Sequence, residues 1–397
     1  MKLENPTPVQ WRFADRAQKL QSSAIREILK ITMRPEITSF AGGLPSPATF
    51  PVERMRAAFD SVLSKQGMVA LQYGPTDGYA PLREWIANSM SINGSQISPD
   101  QVLMVSGSQQ GLDLLGKVLI NEGSKVLVET PSYLGALQAF SVYGPEFVSL
   151  TTDDHGLVPS GVTEVGEGAS LLYALPNFQN PTGRTLSVER RFELVETCAR
   201  MGIPLIEDDP YGSLSYKAEP LPRMLNMNPD GVVYMGSFSK VLTPGIRLGY
   251  VIAPQVLARK LEQAKQATDL HTAQLTQMVV HEVIKDGFLQ EHIPTIRQLY
   301  SDQCQAMLTA LTDFFPAGVT WTKPEGGMFI WITMPKHIDS TKLLEEAIKQ
   351  NVAFVPGASF YANAPEMNTF RLSFVTVPPE KIRAGVAILG KLIAARM

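Results

Sequence analysis

Reactive groups are concentrated in the segment Gly236-Ser237-Phe238-Ser239-Lys240-Val241-Leu242-Thr243-Pro244-Gly245-Ile246-Arg247-Leu248-Gly249-Tyr250, where two serines, a lysine and an arginine surround a Pro-Gly turn. Apolar runs flank it, Val232 to Met235 and Leu248 to Ala253. Cations set between short, buried-type strands are costly unless an anion or a carbonyl meets them. The chemistry this suggests is a Schiff base between Lys240 and a cofactor aldehyde, with Ser237, Ser239 and Arg247 holding that cofactor's phosphate. An alternative reads Ser237-Phe238-Ser239-Lys240 as the SxxK of a serine acylase. Ser301-Asp302-Gln303 matches the second element of that set imperfectly, and no KTG occurs.

Further polar clusters follow apolar runs elsewhere. Ser106-Gly107-Ser108-Gln109-Gln110-Gly111 opens a predicted helix after Val102 to Val105, and its small residues would let backbone N–H groups face a phosphate. The plainer alternative is an N-cap serine. The cluster lacks the lysine of a P-loop and no GxGxxG occurs, so neither ATP nor NAD is indicated. Tyr133, in Pro131-Ser132-Tyr133, would stack on a flat ring or fill the core. In Pro176-Asn177-Phe178-Gln179-Asn180-Pro181-Thr182-Gly183, the proline pushes Asn180 toward an extended backbone and presents its amide from a rigid turn. Glu207-Asp208-Asp209-Pro210-Tyr211 sets three acids side by side, with no evident structural need for all three. One of them would keep a ring nitrogen protonated beside Tyr211 as a phenol donor. A metal reading lacks histidines, since His281-Glu282 is not followed by the second histidine of HExxH. Last, Arg371 interrupts the apolar strand Thr369 to Phe374, where a forked guanidinium suits either a bidentate carboxylate or a buried ion pair.

The elements that must position these residues alternate. Strands are expected at 102–105, 126–128, 147–150, 171–175, 204–206, 232–235 and 248–252, with helices at 52–64, 107–120 and 188–201 among them. Continuous apolar strands alternating with helices imply an α/β fold with a largely parallel sheet covered on both faces. Helical patterns dominate residues 255–315, and short strands at 319–322, 328–332, 353–355 and 369–374 with two helices follow. The expected division is an N-terminal arm over residues 1–50 that forms part of a small domain, a large domain over 51–300, and a C-terminal small α+β domain over 301–397. In the arm, Ser22 or Ser23 would cap a helix over Ala24 to Lys30, and Gly42 and Gly43 would allow close approach of backbone to a ligand.

A chain of 397 residues is long enough for two or three domains, and 44% hydrophobic with 18% charged residues is a globular composition. A net charge of −3 advertises neither nucleic acid nor anionic lipid. Cys198 and Cys304 stand far apart, outside any CxxC or Cys/His cluster, which argues against structural zinc or a disulfide scaffold. With no apolar signal region at the N-terminus and no uncharged run of membrane-spanning length, the expectation is a cytoplasmic protein without a membrane partner.

In this order the motifs resemble the class I, fold-type I aminotransferases that use pyridoxal 5'-phosphate. The shared set is Asn180-Pro-Thr-Gly, Asp208-x-x-Tyr211, Ser237-x-Ser-Lys240 with Arg247 seven residues on, then Arg371. The 2-aminoadipate and kynurenine aminotransferase branch is most similar, sharing Ser-Gly-Ser-Gln-Gln, Glu-Asp-Asp-x-Tyr and Ser-Phe-Ser-Lys-Val. The resemblance implies a mostly parallel seven-stranded sheet sandwiched by helices, a smaller discontinuous α+β domain, and a homodimer with a shared active site. It implies that Lys240 holds the internal aldimine and shuttles a proton between the substrate Cα and the cofactor C4'. Asp208 would pair with the pyridinium nitrogen, Asn180 and Tyr211 would donate to the phenolate oxygen, and Tyr133 would stack on the ring. Ser108, Gln109, Ser237, Ser239 and Arg247 would bind the phosphate, joined by Tyr73 of the neighbouring subunit. Arg371 and Asn180 would grip the substrate carboxylate. Gly42 and Gly43 would close over the substrate, and Arg26 and Ser23 would meet its side chain. The implied reaction is ping-pong transamination between an L-amino acid and a 2-oxo acid, with 2-oxoglutarate as the expected acceptor. A β-lyase or decarboxylase would share every cofactor residue, and a non-catalytic cofactor-binding regulator is the reading from another class.

Overall fold

The computed structural model of the protein describes residues 10–18, 34–217 and 220–397. The helix expected over 24–30, with Ser23 and Arg26, lies outside these residues.

The seven expected strands form one sheet, ordered Val102–Val105, Gly249–Ile252, Val232–Ser237, Leu205–Asp208, Leu171–Ala174, Lys125–Glu129 and Glu146–Leu150. Gly249–Ile252 is antiparallel to both neighbours and the other adjacent pairs are parallel. The exception is a matter of chain length. Only Phe238 to Leu248 separates Val232–Ser237 from its partner, too short for a crossover, so the chain turns back beside itself. Apart from the edge strand Glu146–Leu150, which is mostly half-buried, nearly every strand residue is buried, as the unbroken apolar runs require of a sheet covered on both faces. One face buries Leu103, Val105, Val126, Val128, Tyr173, Ile206 and Val233 under the helices Ser108–Leu119, Leu134–Ser141 and Gln255–Asp269. The alternate residues Val102, Met104, Leu127, Leu172, Leu205, Val232 and Tyr234 meet the helices Ala80–Met90, Val188–Met201 and Gln274–Ile284 on the other.

A second sheet is antiparallel throughout: Thr320–Trp321, Phe329–Thr333, Thr369–Ser373 and Val355–Pro356. The helix Phe288–Phe314, which runs across residue 300, packs with Ser340–Lys349 and Pro379–Ala394 around the core of this sheet. The strand expected at 353–355 is split between two sheets, because Val352–Ala353 pairs in parallel with Thr38–Ser39 instead. Phe40 extends that pairing through its N–H to the Ala353 carbonyl at 2.7 Å, and its own carbonyl accepts from Ser373 N at 2.8 Å. Residues 38–43 are thereby laid along the second sheet. Their course brings Gly43 to the first. The helix starting at Val52 is broken by non-helical backbone at Gln66, two residues past the expected end, and a further turn runs on to Ala70. No helix of the described residues is long and apolar enough to cross a membrane.

One buried cation fastens the turn before Asn180. Arg191, fully buried, donates to the carbonyls of Leu186 (3.0 Å), Pro176 (3.1 Å) and Pro222 (3.1 Å), and to Asn177 Oδ1 at 2.5 Å. Replacing Arg191 with Met would remove this donor from the buried Leu186, Pro176 and Asn177 oxygens, of which Pro176 keeps its bond from Leu186 N, and each one left unmet costs about 1–3 kcal/mol before relaxation. Arg191→Met is expected to destabilise the fold by roughly 3–5 kcal/mol in a denaturant titration, and an unchanged midpoint would overturn this assignment.

Candidate active site

All six parallel strands end at one edge of the large sheet, and the turn between Ser237 and Gly249 lies at that same edge. A cleft of about 480 Å³ opens there, lined by Ser108, Gln109, Tyr133, Asn180, Asp208, Tyr211, Ser237, Ser239, Lys240, Arg247 and Arg371, with Gly43 and Leu44 from the N-terminal arm. Residues spread over 264 positions of sequence (Ser108 to Arg371, inclusive) thus share one cavity, beyond the strand ends where open α/β sheets bind ligands.

One end of the cleft is built for an anion. Ser108 is the first residue of the helix Ser108–Leu119, so unsatisfied N–H groups face the cavity beside the Ser237 and Ser239 hydroxyls. Gly107 precedes it at φ 90°, and a Cβ there would strike the Arg247 guanidinium. Arg247 itself has φ 49°, a left-handed backbone that costs a non-glycine residue on the order of 1 kcal/mol. Its charge is held at the cleft by that turn. Gln109 donates to the Gly135 carbonyl at 2.8 Å, and Ser237 Oγ accepts from Ser239 N at 3.1 Å.

The middle of the cleft carries the groups suited to a flat ring. Asp208 ends its strand fully buried. One carboxylate oxygen, Oδ2, accepts from the Tyr173 hydroxyl at 2.6 Å, while Oδ1 is buried without a partner. Burial pushes this carboxyl up to about 7, against the opposing pull of the Tyr173 bond. The half-buried Tyr133 and the buried Tyr211 are phenols whose pKa burial raises, Tyr133 to about 12, so both stay protonated and can donate hydrogen bonds at neutral pH. The Asn180 side chain lies against the Tyr211 hydroxyl.

The triple acid resolves into one free group and two structural ones. Glu207, on the opposite face of the strand, accepts from Met224 N (3.0 Å) and Leu225 N (2.8 Å). Asp209 accepts from Asn177 Nδ2 (2.9 Å), Gly212 N (2.8 Å) and the Tyr234 hydroxyl (3.1 Å). A structural need for two of the three acids therefore exists. Sequence reasoning missed it because their partners are backbone groups and side chains distant in sequence. Period-two alternation along the strand would have separated Asp208 from both neighbours.

The far end is cationic. Arg371, 2% exposed, donates from Nη1 to Asn180 Oδ1 at 2.7 Å and from Nη2 to the Ala41 carbonyl at 2.7 Å, while its Nε is buried and unpartnered. Phe329 and Phe360 rings stand 4.3 and 5.0 Å from its guanidinium carbon. Neither acceptor carries charge. Burial draws this guanidinium down to about 10, still protonated at neutral pH. Lys240 donates to the Gly43 carbonyl at 2.7 Å, and burial, reinforced by Arg371 and Arg247, lowers its amine to about 8. An amine so tuned is a nucleophile and a base near neutral pH.

Two expected residues are not among those lining the cleft. Tyr73 is 77% exposed, its ring edge-on to His271, and Gly42 stands one residue outside the lining where Gly43 enters it. Among the described residues no group of three His, Cys, Asp or Glu side chains is placed to hold a metal ion.

A pyridine aldehyde bearing a phosphate fits this donor set. The helix start, the serines and Arg247 match the phosphate, Asp208 Oδ1 awaits a ring N–H, and Lys240 is within the same cleft for the aldehyde. Comparison with known proteins agrees. Residues 40–389 match the family model described as aminotransferase class I and II. The chain is 43% identical to aromatic-amino-acid aminotransferase 1 of Thermococcus litoralis, over 100% of this chain and 97% of that one. It is 44% identical to the 2-aminoadipate transaminase of Thermus thermophilus, over 97% and 98%. The solved structure of the alpha-aminoadipate aminotransferase LysN from Thermus thermophilus, complexed with N-(5'-phosphopyridoxyl)-L-leucine, superposes with a TM-score of 0.90 at 43% identity, covering 96% of this chain and 97% of that one. With likeness running the length of the chain and a cleft shaped for the cofactor, this protein belongs to the class I and II aminotransferases, fold-type I enzymes that work with pyridoxal phosphate.

Proposed function

We propose that the protein moves the amino group of an L-amino acid to a 2-oxo acid by a ping-pong course, with 2-oxoglutarate as the acceptor. The donors proposed are 2-aminoadipate, glutamate, or aromatic and branched apolar amino acids, in keeping with the relatives named for aromatic amino acids and 2-aminoadipate. The observation that carries this reading is Arg371: a buried guanidinium with only neutral acceptors, in the same cleft as a buried amine and a phosphate cradle. A substrate α-carboxylate supplies the anion it lacks.

Pyridoxal phosphate, when bound, supplies the aldehyde and an electron-withdrawing ring that stabilises negative charge at the amino acid's Cα. Lys240 would hold the cofactor by its aldehyde, and its Nζ would take the proton from the amino acid's Cα. Asp208 would keep the ring nitrogen protonated, Asn180 and Tyr211 would donate to the phenolate oxygen, and Tyr133 would cover the ring face. Arg371 and Asn180 orient the carboxylate so that the Cα–H faces Lys240. Phe329 and Phe360 exclude water from the guanidinium and strengthen that pairing.

The reading extends to a cytoplasmic homodimer. Met68 (92% exposed), Leu71 (72%) and Tyr73 (77%) are exposed apolar side chains within six residues of one another, which a second copy would cover while offering Tyr73 to the first copy's phosphate. Both cysteines are buried as free thiols, in keeping with a reducing compartment. With an arm over 1–50 and a small domain over 301–397 set against a large domain over 51–300, the substrate would lie between them. Side-chain selection is assigned to Arg26, which would pair with the distal carboxylate of glutamate or 2-aminoadipate, with Ser23, and with Gly42 and Gly43 above the substrate.

Lys240→Ala is expected to lower kcat on the order of a thousandfold or more and to remove the visible absorbance of the lysine-bound cofactor; normal turnover would sink the assignment. In the cofactor-free protein, an amine lowered to about 8 is mostly protonated below that pH. Capture of pyridoxal phosphate, followed by absorbance in a stopped-flow mixer, is therefore expected to quicken as pH rises toward this value and to level off above it. A rate flat across that range would contradict the depressed amine. Arg371→Lys keeps the charge but loses the fork, and is expected to raise KM about tenfold or more for every amino donor in a panel, with an unaltered KM counting against its carboxylate role.

A further inference from the structure

We propose that Tyr173 is a positioning residue for the cofactor ring: its phenol fixes one oxygen of Asp208 so that the other faces the ring nitrogen. The inference rests on the reading above that Asp208 partners this nitrogen. Tyr173 and Asp208 lie on adjacent parallel strands, where Tyr173 is opposite Ile206. Alternation then puts Tyr173, Ile206 and Asp208 on one face, and Glu207 on the other. The phenol reaches diagonally across and donates to Oδ2 at 2.6 Å, leaving Oδ1 buried, unpartnered and on the carboxylate that lines the cleft.

Two physical consequences follow from that bond. The terminal torsion of an aspartate is broad and roughly two-fold, so an unanchored carboxylate would present either oxygen, or neither squarely, to a ring above it. A donor on Oδ2 selects one orientation before any ligand arrives. The same bond favours the ionised carboxylate, opposing the burial that favours the neutral acid. A protonated ring nitrogen needs that ionised partner. Tyr173 is itself fully buried, its acidity suppressed far beyond the usual phenol by burial and by Asp208, so it stays protonated and its hydrogen goes to Asp208. Its ring is held independently of the hydroxyl, with the Phe140 ring edge-on at 5.9 Å. A phenylalanine would fill the same space. The hydroxyl therefore serves Asp208, and the ring serves the core.

The test compares Tyr173→Phe, Asp208→Asn and the double variant with the unaltered full-length holoenzyme, using three readouts: ring-nitrogen protonation by NMR with 15N-labelled pyridoxal phosphate, the rate of cofactor loss on dilution, and circular dichroism for the fold. Tyr173→Phe is expected to move the ring-nitrogen signal toward the unprotonated form and to speed cofactor loss about tenfold, the scale of one hydrogen bond to a charged group, with the dichroism unchanged. In the Asp208→Asn background, removal of the hydroxyl is expected to add little. An unmoved nitrogen signal in Tyr173→Phe, or an equal loss with and without Asp208, overturns the inference while leaving the role of Asp208 intact. A nitrogen signal unmoved by Asp208→Asn overturns the reading on which it rests.

Discussion

A guanidinium buried against neutral oxygens governs the layout of this protein. Taking a charge out of water costs several kcal/mol even after relaxation, and Arg371 recovers part of that from Asn180 Oδ1, the Ala41 carbonyl and two aromatic faces. None of these cancels the charge. Each must be held rigidly to help at all, and much of the surrounding structure does that holding. The Asn180 turn is fastened through Asn177, which lies between Arg191 and Asp209. Ala41 is fixed by the strand-like course of residues 38–40 along the second sheet. Lys240, its amine lowered chiefly by burial, is lowered further by the same uncompensated charge, so these two cations are coupled electrostatically.

Legibility of the fold in the sequence followed from burial. Strands covered on both faces are apolar without interruption, and all seven were visible as such, with boundaries within one or two residues of those expected. The strand at 353–355 was expected too, but not its division: Val352–Ala353 pairs with Thr38–Ser39 and Val355–Pro356 with Arg371 and Phe370, and a split of that kind leaves no trace in local composition. The turn from Gly67 to Ala70 was also unmarked: the backbone leaves helical geometry at Gln66, near the expected end at Ser64, and resumes it beyond.

Legibility of the site was uneven along chemical lines. Lys240, Arg247, Asp208 and Arg371 stood out because a charge in an apolar setting is costly and demands an explanation. Tyr173 and Arg191 did not. A tyrosine in a strand and an arginine in an amphipathic helix are ordinary in composition, and their importance lies wholly in partners brought near by the sheet. Glu207 and Asp209 misled in the opposite direction, appearing redundant until Met224, Leu225, Asn177 and Tyr234 were seen to use them. Charge identifies candidates, whereas only the fold distinguishes a spent carboxylate from a free one.

The cleft also divides by the origin of its parts. Nearly everything suited to the cofactor comes from strand ends and the turns directly after them, in one sheet whose registry fixes their spacing. That is why a fixed order of short motifs suffices to recognise it. The groups suited to the substrate come instead from a strand of the second sheet, Thr369–Ser373, and from an arm reaching past it to Gly43. Their placement depends on how two separately cored layers meet, and a shift of an ångström between them would alter the clamp while leaving the phosphate cradle intact. A family built this way can retain one cofactor chemistry while its substrates vary, since the first is set within a sheet and the second between sheets.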